Sequence, residues 1–557
     1  MDVVAVPRSA DLVVALPDAG GAARETLTWD DAARLVRERP DLRWVWPSTA
    51  SCYPRLLAAG ARPARCHDLR LAARILRLAR PEAGPAPAWL EAGTSVGTED
   101  TLLAELAPAP DLDEVVAEHE RQQRAVAEAP EPGRLRLLLA AESAGALVAA
   151  EMHADGLPWS RARHEALLEQ ALGPRPPAGF RPVVLERLAG EIAGLLGAPR
   201  LNPDSQVELL RALRAAGLDV TSTSKWELAR SDHPVVAPLL EYKRLARLLA
   251  ANGWAWLDTW VEPGVAGRAD RFRTDYVPGG VVTGRWATSG GGALQIPKAV
   301  RGAVVADPGW RLVVADASQI EPRVLAAMAR DTDLAEAGRD RDLYAGLVDA
   351  GVVDSRQRAK VGMLGALYGG TTGESGLVLP RLRQAYPRAL GLVDDAARTG
   401  ERGGTVRTWL GRTSPPPGEA WRDVQHRAAT VEASAVDERR ARSQARDWGR
   451  FTRNFVVQGT AAEWALCWMA ELRRRLRAMP PEATAGAEGA PAPGEGRPHL
   501  VFFLHDEVVV HSPADRAEQV ADAIRGAAAA AGRLLFGDFP ITFPLEVSVV
   551  ESYDAAT

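Results

Sequence analysis

The stretch RLVVADASQIEPRVLAAMARD, residues 311–331, decides the fold. An apolar run of strand character delivers Asp316 at its end, and a helix begins a few residues later. A carboxylate held at a strand terminus on a rigid sheet is well placed to ligate a hard metal ion. Aspartates in that place also commonly cap the helix that follows, and taken alone the segment reads more readily that way. A second segment, LVFFLHDEVVVHSP at 500–513, sets His505, Asp506 and Glu507 between two β-rich runs, which by itself reads as a polar hairpin turn. Together the segments put Asp316 and Asp506 on strands about 190 positions apart that can converge on one sheet edge. That arrangement could bind two Mg²⁺ ions for phosphoryl transfer.

A third segment supplies the other half of such a site. In SRQRAKVGMLGALYGG, residues 355–370, Arg356, Lys360, Leu364 and Tyr368 recur every fourth position. On a helix they form a slowly winding stripe about 18 Å long. Two cations followed by an aromatic ring suit a nucleotide, with charge for the phosphates and a ring for the base end. The same stripe also fits a solvated basic face.

The 557 residues, 46% hydrophobic and 25% charged, suffice for two to four domains and exclude disorder and fibrous folds. Three cysteines, Cys52, Cys66 and Cys467, have no close pair, so neither a disulfide framework nor a Cys-rich zinc site is expected. Asp2 stands where a signal peptide wants basic residues, and no apolar run reaches membrane-spanning length. The expectation is a cytoplasmic, nucleoid-associated protein without membrane contact. A formal charge of −5 argues against indiscriminate coating of nucleic acid but allows a basic cleft.

Residues 1–130 alternate short apolar runs with Ala/Arg-rich helical stretches and read as a small α/β unit. From 131 to 280 the pattern is helical, and from 281 to 557 strand-like runs alternate with long helices, the mark of an α+β domain. The Ala/Gly/Pro/Glu-rich stretch at 478–498 reads as a disordered insertion.

The three chemistry-bearing segments resemble the polymerase motifs of the family A (polymerase I-like) DNA polymerases. DASQIEPR resembles that family's DYSQIELR, RQRAKVGMLGALYG its R-x3-K-x3-F-x3-YG helix, and LHDEVV its VHDE. TGRWATSGGGALQIP (283–297), LEYKRLARL (240–248), GTVRTWLGR (404–412) and RFTRNFVVQGTAAE (450–463) match further segments in the same order. The resemblance covers roughly residues 135–557. It implies a right-hand fold of palm, fingers (about 330–415) and thumb, preceded by a small RNase H-like domain of 3′-5′ exonuclease type.

Carried over residue by residue, the resemblance implies that Asp316, Asp506 and the carbonyl of Ala317 hold two Mg²⁺ ions, with Mn²⁺ acceptable to the same oxygens. Arg356 and Lys360 would bind the triphosphate, and Lys360 could protonate the departing pyrophosphate. Gln319, Glu321, Leu364, Tyr368 and Tyr344 would line the nucleotide, with Glu321 closing off the space beside the sugar 2′-carbon. Arg285, Gln295, Arg450, Asn454, Gln458 and His505 would touch primer-template DNA, and Glu507 is an auxiliary acid. The implied activity is template-directed DNA synthesis by a monomer, in repair or gap filling. The alternatives are a single-subunit RNA polymerase, against which Glu321 argues, and a catalytically silent polymerase-like DNA-binding protein.

The sequence departs from the family at several places. Leu364 replaces the fingers-helix aromatic ring, Tyr344 stands for a phosphate-contacting histidine, Ala317 for a tyrosine and Pro322 for a leucine. Nucleotide binding weaker than in a typical member is expected. In the amino-terminal region the strand LVVALPDAGG carries a lone Asp18, and no Asp-x-Glu pair opens the domain. A degenerate exonuclease without proofreading is therefore expected.

Overall fold

A computed structural model describes residues 1–8, 11–18, 21–91, 110–264, 269–292, 296–370, 373–481 and 496–556. Two compact units emerge, one formed by residues 1–155, 274–289 and 313–549, the other by 156–273, 290–312 and 550–557.

The first unit opens with a five-stranded mixed sheet. Its strands are β1 (Asp2–Pro7), β2 (Asp11–Asp18), β3 (Gly21–Thr28), β4 (Arg43–Trp46) and β5 (Arg65–Asp68), in spatial order β3-β2-β1-β4-β5. β2 pairs antiparallel with both β1 and β3, whereas helices Trp29–Glu38 and Thr49–Ala58 provide the crossovers that let β4 and β5 run parallel to β1. The central strand reads VVAV because both faces are covered: Val3 and Ala5 pack with Trp44, Trp46 and Tyr53, and Val4 and Val6 with Leu69 and Val115. The run expected to open this domain is thus its second strand. The true first strand has Asp2 as its only acid, at its start, where Arg43 and His119 bind it.

In the second unit, β6 (Leu157–Trp159), β7 (Val261–Glu262) and β8 (Asp270–Phe272) form an antiparallel sheet in the order β6-β8-β7. Helices Arg161–Leu172, Val183–Leu195, Gln206–Ala215 and Val236–Asn252 complete it. Trp159, His164, Trp256 and Phe272 cluster in its core.

The remainder of the first unit carries a hairpin, β9 (Tyr276–Val277) and β10 (Ala287–Thr288), and a sheet of β11 (Trp310–Ala317), β12 (His499–Leu504), β13 (Glu507–Pro513) and β14 (Leu545–Val550). The sheet order is β12-β13-β11-β14, which puts the Asp316 strand beside the Asp506 turn. Helix Ala435–Ala478 is about 66 Å long at 1.5 Å per residue and buries Phe455, Val457, Trp464, Trp468 and Leu472. A capping box between Ser434 and Asp437 starts it. Of the expected insertion, residues 482–495 lie outside the described residues. Among the described residues no helix is long and apolar enough to cross a membrane.

Candidate active site

β12 and β13 are joined by a two-residue turn, His505-Asp506, with Leu504 paired to Glu507. His505 takes a left-handed conformation, φ 58°, and the Ala317 N–H donates to the Asp506 carbonyl at 2.9 Å, clamping the turn to the end of β11. Asp316 and Asp506 are therefore neighbours across strands. Asp316 caps nothing: the helix after it, Ile320–Ala329, begins at Gln319, itself left-handed at φ 60°. Pro322 falls in the first turn of that helix, where its missing N–H costs nothing.

Both carboxyls titrate high. Burial, then the charges of Glu507 and Glu546, push Asp316 up to about 6. Burial and the Asp316 charge push Asp506 up to about 7, with Arg285 only partly offsetting them. Glu546 on β14 is a neighbour that sequence reasoning missed. Its one signal was an acidic residue inside the apolar run LEVSVV. One oxygen of Glu507, Oε1, is buried without a hydrogen-bond partner. Among the described residues no group of three or more His, Cys, Asp or Glu is close enough to form a complete metal cage. That donor set fits Mg²⁺, which is usually held by one or two carboxylates together with substrate phosphates and water.

Helix Arg356–Tyr368 runs as the four-residue spacing requires, capped by Ser355 and ended by left-handed Gly369. Arg356 donates to Asp342 at 2.7 Å, and its guanidinium lies 5.8 Å from the Tyr344 ring centroid. Asp342 also accepts from Gln319 at 2.6 Å and caps helix Leu343–Asp349. It too was missed, hidden among the charges of RDRDLY. Burial and the nearby Glu321 and Asp342 charges push the Tyr344 hydroxyl up to about 12. Lys360 is exposed and Leu364 half-buried on the same helix.

Glu321 joins the segments. One of its oxygens accepts from Arg285 at 2.5 Å and the other from the Tyr368 hydroxyl at 2.7 Å. Arg285 arrives from the β9–β10 hairpin, which docks on β12 through the Tyr276 hydroxyl, 2.7 Å from the Phe503 carbonyl. His505 is pushed down by partial burial and by the Arg285 charge. On the long helix, Gln458 accepts from Thr283 at 2.9 Å, Arg450 pairs with Asp447, and Asn454 is half-buried. Gln295 lies outside the described residues.

Comparison with known proteins bears on the family and the fold. The profile of DNA polymerase family A matches residues 185–553. The thermostable DNA polymerase I of Thermus filiformis is 28% identical over 406 residues, covering 66% of this chain and 43% of the relative. That of Thermus aquaticus gives the same three figures. DNA polymerase I of Chloroflexus aurantiacus is 29% identical over 374 residues, covering 62% of this chain and 35% of its own length. The matches thus span less than half the length of these relatives. Among solved structures, the polymerase domain of Pol1 from M. smegmatis, in complex with DNA primer-template and dNTP, matches at a TM-score of 0.65 and 19% identity, over 100% of this chain and 95% of that one. With the family profile spanning most of its length and the same fold in a solved relative, the chain belongs to DNA polymerase family A.

Proposed function

We propose that the chain is a template-directed DNA polymerase that extends a primer 3′ end with deoxynucleotides by two-metal phosphoryl transfer, in repair or gap filling. The carrying observation is the convergence of Asp316 and Asp506, where burial first, and then the neighbouring acidic charges of Glu507 and Glu546 on Asp316 and of Asp316 on Asp506, raise both carboxyls toward neutrality. Such a pair is built to receive external positive charge. The M. smegmatis domain, of the same fold, was solved with primer-template and dNTP, which supports these partners here. Residues 1–130 would be the exonuclease-like domain, 131–280 the connection and thumb, and 281–557 the palm and fingers. The enzyme would act as a cytoplasmic monomer.

Asp316, Asp506 and the Ala317 carbonyl would hold two Mg²⁺ or Mn²⁺ ions. Bound there, they would supply charge neutralisation at the triphosphate and a more acidic primer hydroxyl. The protein's own groups do the rest by position. Arg356, steadied by Asp342, and Lys360 grip the phosphates, and Lys360 gives a proton to the leaving pyrophosphate. Glu321, fixed by Arg285 and Tyr368, fills the space a 2′-hydroxyl would need. Arg285 and Gln458 face acceptors that every base pair presents in the minor groove, so the grip is independent of sequence. Pro7 and Arg8 stand where the opening strand ends, so no carboxylate pair is available there for a proofreading nuclease.

Primer extension on a gapped template with Mg²⁺ tests the reading, using wild type, Asp316→Ala and Asp506→Ala with deoxy- and ribonucleotides in parallel. Deoxynucleotide extension lost in both variants is the expected result. A wild type that binds primer-template yet extends nothing in Mg²⁺ or Mn²⁺ leaves a silent DNA-binding protein instead.

A further inference from the structure

A buried ion pair lies under the tip of the β9–β10 hairpin. Arg412 donates to Glu142 at 2.7 Å, with only 10% and 2% of the two side chains exposed. Glu142 comes from helix Pro132–Asp155 and Arg412 from the loop after Gly411. Burying such a pair costs desolvation that an apolar pair of the same size would not, so its contribution is better sought in what it positions than in stability.

The hairpin tip rests on both partners. Gly279 (φ 59°) would place a Cβ 2.4 Å from Glu142 Oε1, and Gly284 (φ 90°) would place one 2.6 Å from Arg412 Nε. A Cβ at either position would press on the carboxylate or the guanidinium, so that the tip or the paired side chain must give way. Between the glycines the chain closes on itself: the Gly284 N–H donates to the Val281 carbonyl at 2.8 Å and the Val281 N–H to that of Arg285 at 3.0 Å. What this tip delivers to the site is Thr283, bonded to Gln458, and Arg285, bonded to Glu321.

The Arg412 side of the pair is anchored as firmly. The Arg412 N–H donates to the Thr408 hydroxyl at 2.9 Å, and the Thr408 hydroxyl in turn donates to Glu463. Glu463 also accepts from the Leu410 N–H at 2.9 Å, and it sits on the helix that carries Gln458. Beside Gln458, Gly459 admits Thr408 and the Thr283 carbonyl to within 2.4 and 3.1 Å of where a Cβ would be.

We propose that Glu142 and Arg412 are positioning residues: their ion pair is a strut that sets the height of the hairpin tip. Through the tip it registers Thr283 on Gln458 and Arg285 on Glu321, and so controls duplex grip and sugar selection together. This rests on the polymerase reading above.

Two variants test the strut. The double variant Glu142→Gln/Arg412→Gln removes both charges, at constant size on the Glu142 side and with a shorter side chain on the Arg412 side, and Gly284→Ala presses a Cβ against the Arg412 guanidinium under the tip while keeping both charges. Three quantities are read: primer-template affinity by fluorescence anisotropy, the ratio of kcat/KM for deoxy- over ribonucleotides, and the thermal midpoint. In both variants duplex affinity and the discrimination ratio should each fall about tenfold, since small misplacements of binding groups cost this much. A merely structural pair would move the midpoint and leave the ratio alone. Folded variants that keep wild-type affinity and discrimination overturn the proposal. If the double variant does not fold, Gly284→Ala decides by the same two readouts. A wild type that extends nothing refutes the polymerase reading instead, and duplex affinity in the variants then judges the strut.

Discussion

Gln319 and His505 share the same left-handed backbone conformation, φ 60° and 58°, on the two segments that carry Asp316 and Asp506. Each costs on the order of 1 kcal/mol relative to glycine at that place, but the costs are recovered differently. Gln319 repays it locally, donating to Asp342 and accepting from the Leu343 N–H at 2.8 Å. His505 is exposed on the turn and is held by the strands on either side of it.

Opposite outcomes follow for the same substitution. His505→Gly should raise stability to urea by about 1 kcal/mol, and Gln319→Gly should lower it by a similar amount because its hydrogen bonds are lost. Primer extension should slow in both. Equal stability changes of the same sign would show that the strain is not concentrated at the turn.

The two aspartates make the metal-free protein sensitive to pH. Their folded values, about 6 and about 7, lie above the ordinary 3.8. The folded state therefore binds more protons, its advantage is complete below about pH 4, and it is lost as pH rises through 6 and 7. In EDTA, unfolding should become easier by about 2 kcal/mol between pH 5 and pH 8, a figure discounted for the partial exposure of both groups. Mg²⁺ should therefore raise the thermal midpoint more at pH 8 than at pH 5, and Asp316→Asn/Asp506→Asn should abolish the difference. A wild-type midpoint in EDTA that is flat across this range would contradict the coupling.

Much of this site was legible in the sequence because strand ends and helix spacing are local. VVADA and FLHDEVV place two aspartates by their neighbours alone, and Arg356 to Tyr368 follow from a four-residue step. What was not legible depended on partners remote in the chain. Nothing in RDRDLY shows that Asp342 would hold Arg356, or in LEVSVV that Glu546 would face Asp316. The opening strand was misassigned for a related reason. DVVAVP is short and ends in proline, and only its burial on both faces by distant elements makes it the centre of the sheet.

The second unit should respond to pH in the opposite direction. His164 accepts from the Trp159 indole at Nδ1 (3.2 Å) and donates from Nε2 to the Asn252 carbonyl (2.9 Å), so only the neutral ring satisfies both. Burial lowers its pKa to about 4 from 6.5. The unfolded chain then takes up the proton first, and stability is lost as pH falls from 6.5 toward 4, by up to about 3 kcal/mol. His164→Gln should flatten this slope, read by urea titrations at pH 7.5 and pH 5. An unchanged slope would place the acid sensitivity elsewhere, with His67, also lowered to about 4, as the next residue to test.

If the helix Arg356–Tyr368 meets the nucleotide as proposed, Leu364 is the departure from the family pattern with the most direct consequence. It lies half-buried on helix Arg356–Tyr368, two helical steps beyond Arg356 and one before Tyr368. An aliphatic side chain there would offer a bound base and sugar contact area but no ring face, and a stacked aromatic adds about 1 kcal/mol or more. Leu364→Phe should therefore lower the KM for deoxynucleotides about fivefold at nearly constant kcat, since the ring would bind ground and transition states alike. Tyr344→His tests the other half of the grip. The Tyr344 ring now lies near the Arg356 guanidinium, and a histidine would replace that contact with a group able to reach phosphate when protonated. Its effect on KM should be stronger at pH 6 than at pH 8, whereas that of Leu364→Phe should not depend on pH. A KM unmoved by Leu364→Phe would mean that this helix face does not meet the nucleotide.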